Sequence, residues 1–329
     1  KEVYLSCGTS FVVKMKNQSS IVERGLLLDV ARKFYTLEEL KAVLDLMAKN
    51  ELTHLQLHFS DNEGFRIESK WVKPSDQHYT KAEILDLLDY AQARQIIIIP
   101  ELDSPGHWGH ILVQYPQLKL TDTAMNLTEE AIALSRSLLS EMLELFSDCP
   151  IFHIGGDEFV DFSDLPDELV QQSKLEFGEK AQGLETYVTY LNQTAEFIAQ
   201  HGKEPRVWND GLFRKSKVLP SPKLTVTYWT RWHEDMAKVS AFDGYKLINL
   251  CDNYLYYVIG EAAGYTYPTP EKLKAWTPSL FSGGQVGECS GAYFCVWGDR
   301  LAAQTFETIY VSLSELLPIF MEKIKETKK

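Results

Sequence analysis

The chain lacks the features that mark several large classes of protein. It has no apolar run longer than a strand, so no stretch can cross a bilayer as a helix, and no membrane insertion is expected. It is poor in basic residues: 33 Lys and Arg stand against 46 Asp and Glu, a net charge of −13. That is the wrong sign for gripping a phosphate backbone, so no nucleic-acid partner is expected. Its five cysteines, Cys7, Cys149, Cys251, Cys289 and Cys295, are odd in number, widely spaced and without a C-x-x-C pair. This argues against a disulfide framework or a zinc knuckle, and each thiol is expected as a small buried hydrophobe. With no basic–apolar–small leader at its start, the chain is expected in the cytoplasm, a secreted or surface location being the alternative. No short-period repeat or low-complexity tract occurs, and no G-x-G-x-x-G or Walker pattern follows the first apolar segment.

What remains is a chain of 329 residues, 45% hydrophobic and 24% charged, ordinary for a globular protein and long enough for two domains or one large barrel. Eight segments read as strands: 25–30, 54–60, 96–102, 151–156, 206–210, 224–229, 246–252 and 291–298. Several are continuously apolar, as the isoleucines at 96–99 are, which fits strands covered on both faces. Helical patterns lie between them. Thr36 with Glu39 and Thr80 with Glu83 are capping-box signatures, each followed by apolar residues at helical spacing. Thr128 opens a helix through Phe146, a further helix over 184–199 is stopped by Gly202, and a last one runs past Leu317 with a break near Pro318. The alternation predicts an α/β fold, a (β/α)8 TIM barrel forming a single catalytic domain. Residues 1–23 form a lead-in, residues 24–329 the barrel, and a glycine-rich stretch at about 253–290 is a long loop expected to overhang the site.

In such a barrel the chemistry sits where strands finish. The fourth segment ends His153-Ile154-Gly155-Gly156 and then places Asp157 and Glu158 side by side. Neighbouring side chains of a regular strand point to opposite faces, so both acids can serve one pocket only past the strand's end. The two glycines leave room for a ligand to approach the backbone. The other strand ends carry Arg32, Asp61, His107, Trp208, Trp229, Tyr254, Trp297 and Asp299. Carboxylates and an arginine can hydrogen-bond hydroxyls while indole faces cover the apolar face of a pyranose, so a sugar is the expected ligand.

Six blocks carry a resemblance: R-G-L-L-L-D-V-A-R at 24–32, H-F-S-D-N-E-G-F-R at 58–66, P-G-H at 105–107, H-I-G-G-D-E at 153–158, V-W-N-D at 207–210 and V-W-G-D at 296–299. In content and order they resemble glycoside hydrolase family 20, the β-N-acetylhexosaminidases. The resemblance implies exo-hydrolysis of terminal β-linked GlcNAc or GalNAc from a glycan or glycoconjugate. It implies a retaining reaction in which the sugar's own 2-acetamido oxygen attacks the anomeric carbon through an oxazolinium intermediate, with no cofactor and no metal. By position Glu158 would be the general acid and then base, and Asp157 would orient the acetamido N–H. Arg32 would bind ring hydroxyls, with Arg24 structural, and Asp61 and His107 would form a polar relay toward Glu158. Trp208, Trp229 and Trp297 would wall the acetamido pocket, Tyr254 would donate to the acetamido oxygen, and Asp299 would reach the outer hydroxyls.

Two positions depart from the family pattern: Asp299 stands where Glu is usual, and Tyr256 where Asp or Asn often follows the tyrosine. Both bear on gluco against galacto preference. The accessory α/β domain that often precedes this barrel is not expected in the 23 residues before Arg24. Two rival readings are a catalytically silent sugar-binding barrel, which the presence of both acids opposes, and a disaccharide-releasing lacto-N-biosidase of the same family. A metal-dependent hydrolase is disfavoured by the lack of an H-x-H on the first strands. His153 is expected as a hydrogen-bonded core residue, Glu101 and Asp103 as either site support or structural polar groups, Trp276 as a further wall, and Trp71, Trp232 and the run Tyr254–Tyr257, apart from Tyr254 itself, as packing.

Overall fold

The computed structural model describes residues 6–7, 11–12, 22–287 and 289–326, so most of the expected lead-in over 1–23 lies outside the described residues. Eight parallel strands form a closed ring: β1 (Glu23–Asp29), β2 (His54–His58), β3 (Ile97–Glu101), β4 (Ile151–His153), β5 (Glu204–Trp208), β6 (Thr225–Tyr228), β7 (Lys246–Asn249) and β8 (Gly291–Trp297). Each pairs with the next, and β8 closes the ring by pairing with both β7 and β1. This is a (β/α)8 barrel, as the alternation predicts, and the buried apolar strands are those covered on both faces.

The strands end sooner than the apolar runs do, because side chains capture the backbone beyond them. After β4 the Gly155 N–H donates to His153 Nδ1 (3.1 Å) and the Gly156 N–H to Asp103 Oδ1 (3.1 Å). After β7 the Cys251 N–H donates to Asn249 Oδ1 (2.9 Å), and the chain turns at once into a short helix, Asp252–Leu255. A ninth short strand, Tyr256–Val258, then lies parallel to the end of β8.

The helices α1 (Leu37–Lys49) and α2 (Lys81–Gln92) start on complete capping boxes from Thr36 and Thr80, and α3 (Glu129–Leu145) is capped by Thr128. Each cap contributes about 1 kcal/mol. Then come α4 (Asp167–Phe177), α5 (Leu184–Gln200) and α6 (Phe306–Glu326). Between β5 and β7 the chain forms only turns and a 3₁₀ segment, Val239–Phe242, in place of full helices. Pro318 does not interrupt the last helix: α6 runs through it. An interior proline costs roughly 3 kcal/mol, and the buried face of Leu313, Leu316, Leu317, Phe320, Met321 and Ile324 outweighs it. Trp276 is no wall of a site either; it is fully buried and stacks on Phe320 of α6 at 5.6 Å.

The barrel interior is filled. Leu27, Ile99, Ile248, Trp208 and Tyr293 pack within it. At the end where strands begin, Glu23, Glu204 and Lys246 open β1, β5 and β7, and a buried ion cluster forms. Arg206 Nη2 lies 2.7 Å from Glu23 Oε2, and Lys246 Nζ lies 2.8 Å from both Glu23 and Glu204. Burial opposes the charge on Glu23, but Arg206, His54 and Lys246 hold its carboxyl well below the usual range. Cys149 is buried, as are Cys251 and Cys295, while Cys289 is half-buried.

Candidate active site

At the other end of the barrel, where strands finish, Arg32, Asp61, His107, Asp157, Glu158, Trp229, Trp297 and Asp299 line one solvent-open cavity of about 100 Å³. Tyr256, Trp232 and Tyr265 also line it.

The two adjacent acids reach one cavity because the backbone leaves the strand in steps that strands do not allow. Gly155 has φ +74°, Gly156 φ +99° and Glu158 φ +43°. Gly155 is needed for a second reason. A Cβ built on it would lie 1.7 Å from Asp103 Oδ1, so the cleared space holds the Asp103 carboxyl rather than a ligand. Asp103 Oδ1 accepts from Gly156 and thereby fixes the turn that carries Asp157 and Glu158. Asp210, on the turn after β5, fixes the next peptide: its Oδ2 accepts from the Glu158 N–H (2.9 Å) and its Oδ1 from Trp229 Nε1 (3.1 Å).

Beneath the acids runs a buried chain of alternating carboxylates and imidazoles. Glu101 Oε1 is 3.2 Å from His58 Nδ1, and His58 Nε2 is 2.8 Å from Asp61 Oδ2. Asp61 Oδ1 is 3.1 Å from His107 Nδ1, and His107 Nε2 stands 3.5 Å from both Asp157 Oδ2 and Glu158 Oε2. Burial disfavours charge on His107, but Asp61, Asp157 and Asp103 outweigh it and raise its pKa well above the ordinary imidazole value. For Asp61 burial is likewise overcome, by His107 and Arg32, and its carboxyl is held well below the usual range. Glu101 is lowered in the same way by His153 and His58. Asp103 goes the other way: burial first, and Asp157 next, push it well up. Asp210 is raised to about 7 by burial and then by Asp157.

Arg32 follows the end of β1 and is held from three sides, by Asp29 Oδ2 (3.0 Å), Asp61 Oδ2 (2.8 Å) and Glu63 Oε2 (3.4 Å). Burial opposes its charge, but Asp61, Asp29 and Asp299 keep it firmly protonated. Its guanidinium lies 5.8 Å from the Trp297 ring. Asp299 stands at the exposed rim beside it.

The aromatic walls differ from the sequence expectation in four places. Trp229 and Trp297 line the cavity, but Trp208 lies behind them: it is buried, 6.0 Å from Trp297, and gives its Nε1–H to Glu101 Oε1 (2.8 Å). Tyr254 is on the short helix Asp252–Leu255 and packs against the outer core, outside the cavity lining. Tyr256 lines the cavity instead, stacked on Trp229 at 5.8 Å with planes only 5° apart. Because the chain makes a helical turn after β7, residues two apart do not share a face as they would in a strand. Trp232 lines the cavity rather than merely packing. Trp71 is not among the lining residues, and His153 is a core residue bonded to Thr227 Oγ1 (2.8 Å).

Asp103, Asp210, Glu63 and Asp252 received no specific role from the sequence. Both Asp103 and Asp210 stand just past strand ends, and Asp210 closes the V-W-N-D block, which is the signal that could have found them. Among the described residues, two groups of donors are near enough to hold a cation, His58–Glu101–Asp103 and Asp103–His107–Asp157. In both, imidazole and carboxylate already face one another, an arrangement suited to sharing protons.

A family model described as the catalytic domain of glycosyl hydrolase family 20 matches residues 23–310. The chain is 29% identical over 243 residues to a beta-hexosaminidase of Akkermansia muciniphila, covering 63% of this chain and 47% of that protein. It is 26% identical over 347 residues to the beta-hexosaminidase subunit alpha of Bos taurus, covering 94% of this chain and 60% of that one. It therefore spans about half the length of these relatives. The crystal structure of Dispersin B superposes with a TM-score of 0.74 at 26% identity, covering 92% of this chain and 99% of that one.

Proposed function

The chain belongs to glycosyl hydrolase family 20, and from that membership we propose that it is an exo-acting β-N-acetylhexosaminidase that releases terminal β-linked GlcNAc or GalNAc with retention. The observation that carries the proposal is the pairing of Asp157 and Glu158, both 3.5 Å from one buried imidazole, beside a cavity walled by Trp229, Tyr256 and Trp297.

Glu158, with a side chain 47% exposed, would give the leaving group a proton and then activate water. Asp157, more deeply buried, would hold the acetamido N–H and offset positive charge on the developing ring. Tyr256, rather than Tyr254, would donate to the acetamido oxygen, since it is the tyrosine of the pair that lines the cavity. The stacked Trp229–Tyr256 wall would keep the acetamido arm folded inward. Holding that arm as nucleophile supplies an effective concentration of ~10⁵–10⁸ M, or roughly 7–11 kcal/mol of barrier. General acid catalysis adds about 10²–10⁴-fold, so the neighbouring group is the larger effect. Arg32 would bind ring hydroxyls, with Asp299 near the outer ones.

The test is a panel of aryl glycosides: β-GlcNAc, β-GalNAc, β-glucose and a β-linked lacto-N-biose. Turnover of the N-acetyl sugars without turnover of β-glucoside is expected, with the β anomer released first by NMR. Equal turnover of β-glucoside refutes neighbouring-group participation, and preferential cleavage of the disaccharide glycoside assigns the lacto-N-biosidase activity instead.

A further inference from the structure

The inner walls of the cavity are nearly closed to water, Trp229 being 6% and Trp297 9% exposed, whereas Trp232 in the same lining is 49% exposed. An indole left half open to water forfeits much of its burial energy, so its fixed placement at a cavity mouth calls for a reason. Trp232 is fixed. Its Nε1–H donates to Asp252 Oδ2 (2.8 Å), and its ring stands 82° to Trp229 with centroids 4.6 Å apart.

Asp252 is the hub of this arrangement. It is buried, and its Oδ2 also accepts from Thr230 Oγ1 (2.9 Å) and Tyr265 OH (3.1 Å). Its Oδ1 accepts from Ser282 Oγ (2.9 Å) and the Asn253 N–H (2.8 Å). One carboxylate thus joins the turn after β6, which carries Trp232, to the long loop, which carries Tyr265 and Ser282. The loop is bent to reach it: Gly260, Glu261, Ala263 and Gly264 all have positive φ, at +75°, +50°, +52° and +83°. Non-glycine residues in that region cost about 1–3 kcal/mol each and persist where the surroundings impose them. Ala263 and Tyr265, on and just after this bend, both line the cavity.

We infer that Trp232 is the platform for the sugar ring on the leaving side of the scissile bond, with Asp252 as the residue that positions it. The inference deepens the activity proposed above and rests on it. Two observations set the side. Glu158, the proposed proton donor to the leaving oxygen, is the more exposed of the two acids, and Trp232 is the exposed member of the aromatic lining. The bound hexosamine occupies the enclosed part, so the group beyond the glycosidic oxygen meets the open part. An indole fixed there matches the apolar C–H face of a hexopyranose, and because it is already ordered, stacking costs little side-chain entropy. The ligand class is therefore a glycan whose residue next to the terminal N-acetylhexosamine is itself a hexopyranose.

The experiment compares a β-1,4-linked disaccharide of N-acetylglucosamine with methyl β-N-acetylglucosaminide, which has no second ring. Trp232→Ala is expected to lower kcat/KM about tenfold or more for the disaccharide, mainly through KM, and no more than about threefold for the methyl glycoside. Trp232→Phe should recover part of the disaccharide loss. Asp252→Asn should show the same substrate-selective rise in KM, since an amide cannot accept from both groups of donors. Methyl glycoside turnover reports that each variant is folded. Equal losses on both substrates, or no loss on either, overturn the platform while leaving the activity intact. A wild-type chain that cleaves neither substrate overturns the activity, and the platform with it.

Discussion

Replacing Gly155 with alanine tests the geometry on which both acids depend. The new Cβ would start 1.7 Å from Asp103 Oδ1 and 2.6 Å from Asp103 Cα. Ordinary contact begins near 3.4 Å, so either Asp103 or the turn after β4 must move by more than an ångström. Three effects add: a side chain at φ +74°, overpacking, and loss of the Gly156 N–H bond to Asp103. Together they cost about 3–5 kcal/mol. A displacement of this size at Asp157 and Glu158 should lower kcat about 10²-fold or more. Gly202→Ala is the matched control, because Gly202 has φ +75° and nothing within 4 Å of its would-be Cβ. It carries the backbone penalty alone, roughly 1–2 kcal/mol, and should keep its activity. Urea denaturation midpoints and turnover of an aryl β-N-acetylglucosaminide measure both. If Gly155→Ala matches Gly202→Ala in stability and rate, the Asp103 buttress is not what holds the dyad.

Asp210 gives a pH signature. Its carboxyl is raised from the usual 3.8 to about 7 by burial and then by Asp157, so the folded chain keeps a proton that the unfolded chain has lost. Its contribution is complete below the ordinary value and is lost as pH rises through about 7. Wild-type stability should therefore fall more steeply between pH 4 and 7 than that of Asp210→Asn in urea titrations, and equal slopes would refute the assignment. Tyr256→Phe should lower kcat/KM about 10²-fold, the effect of an attacking acetamido oxygen no longer held in line with the anomeric carbon. Tyr254→Phe should stay within about threefold, and a reversal of that order returns the role to Tyr254. Prolonged exposure to a chelator should leave turnover unchanged. A loss restored by a divalent cation would assign the His58, Asp103 and His107 donors to a metal.

The strands were legible because burial on both faces leaves an unmistakable apolar run, and the ring order follows from right-handed β-to-β crossovers. The helix starts at Thr36, Thr80 and Thr128 were legible because capping is a local, short-range matter. The strand-end blocks placed Arg32, Asp61, His107, Asp157 and Glu158, and the structure brings them to one cavity. What the pattern could not give depends on where the chain turns after leaving a strand. The short helix Asp252–Leu255 carries Tyr254 away and leaves Tyr256 to stack on Trp229, a change no spacing rule within a strand anticipates. Trp232 acquires its position only through Asp252, which gathers donors from turns some twenty to thirty residues apart in sequence. The sequence offers Gly155 as space for a ligand, yet its neighbour in space is Asp103, two residues past the end of β3.

The ion cluster of Glu23, Arg206 and Lys246 closes the far end of the barrel, and Trp208 and Tyr293 occupy its middle. Among the described residues the site therefore has one doorway, and in the proposed reaction events would queue at it. The cleaved-off portion of a glycan would have to vacate the mouth before a water molecule could come in behind it. The amino sugar, being innermost, would be the last to go. Anything that lingers at the threshold would then weigh on the reaction without touching the bond that breaks.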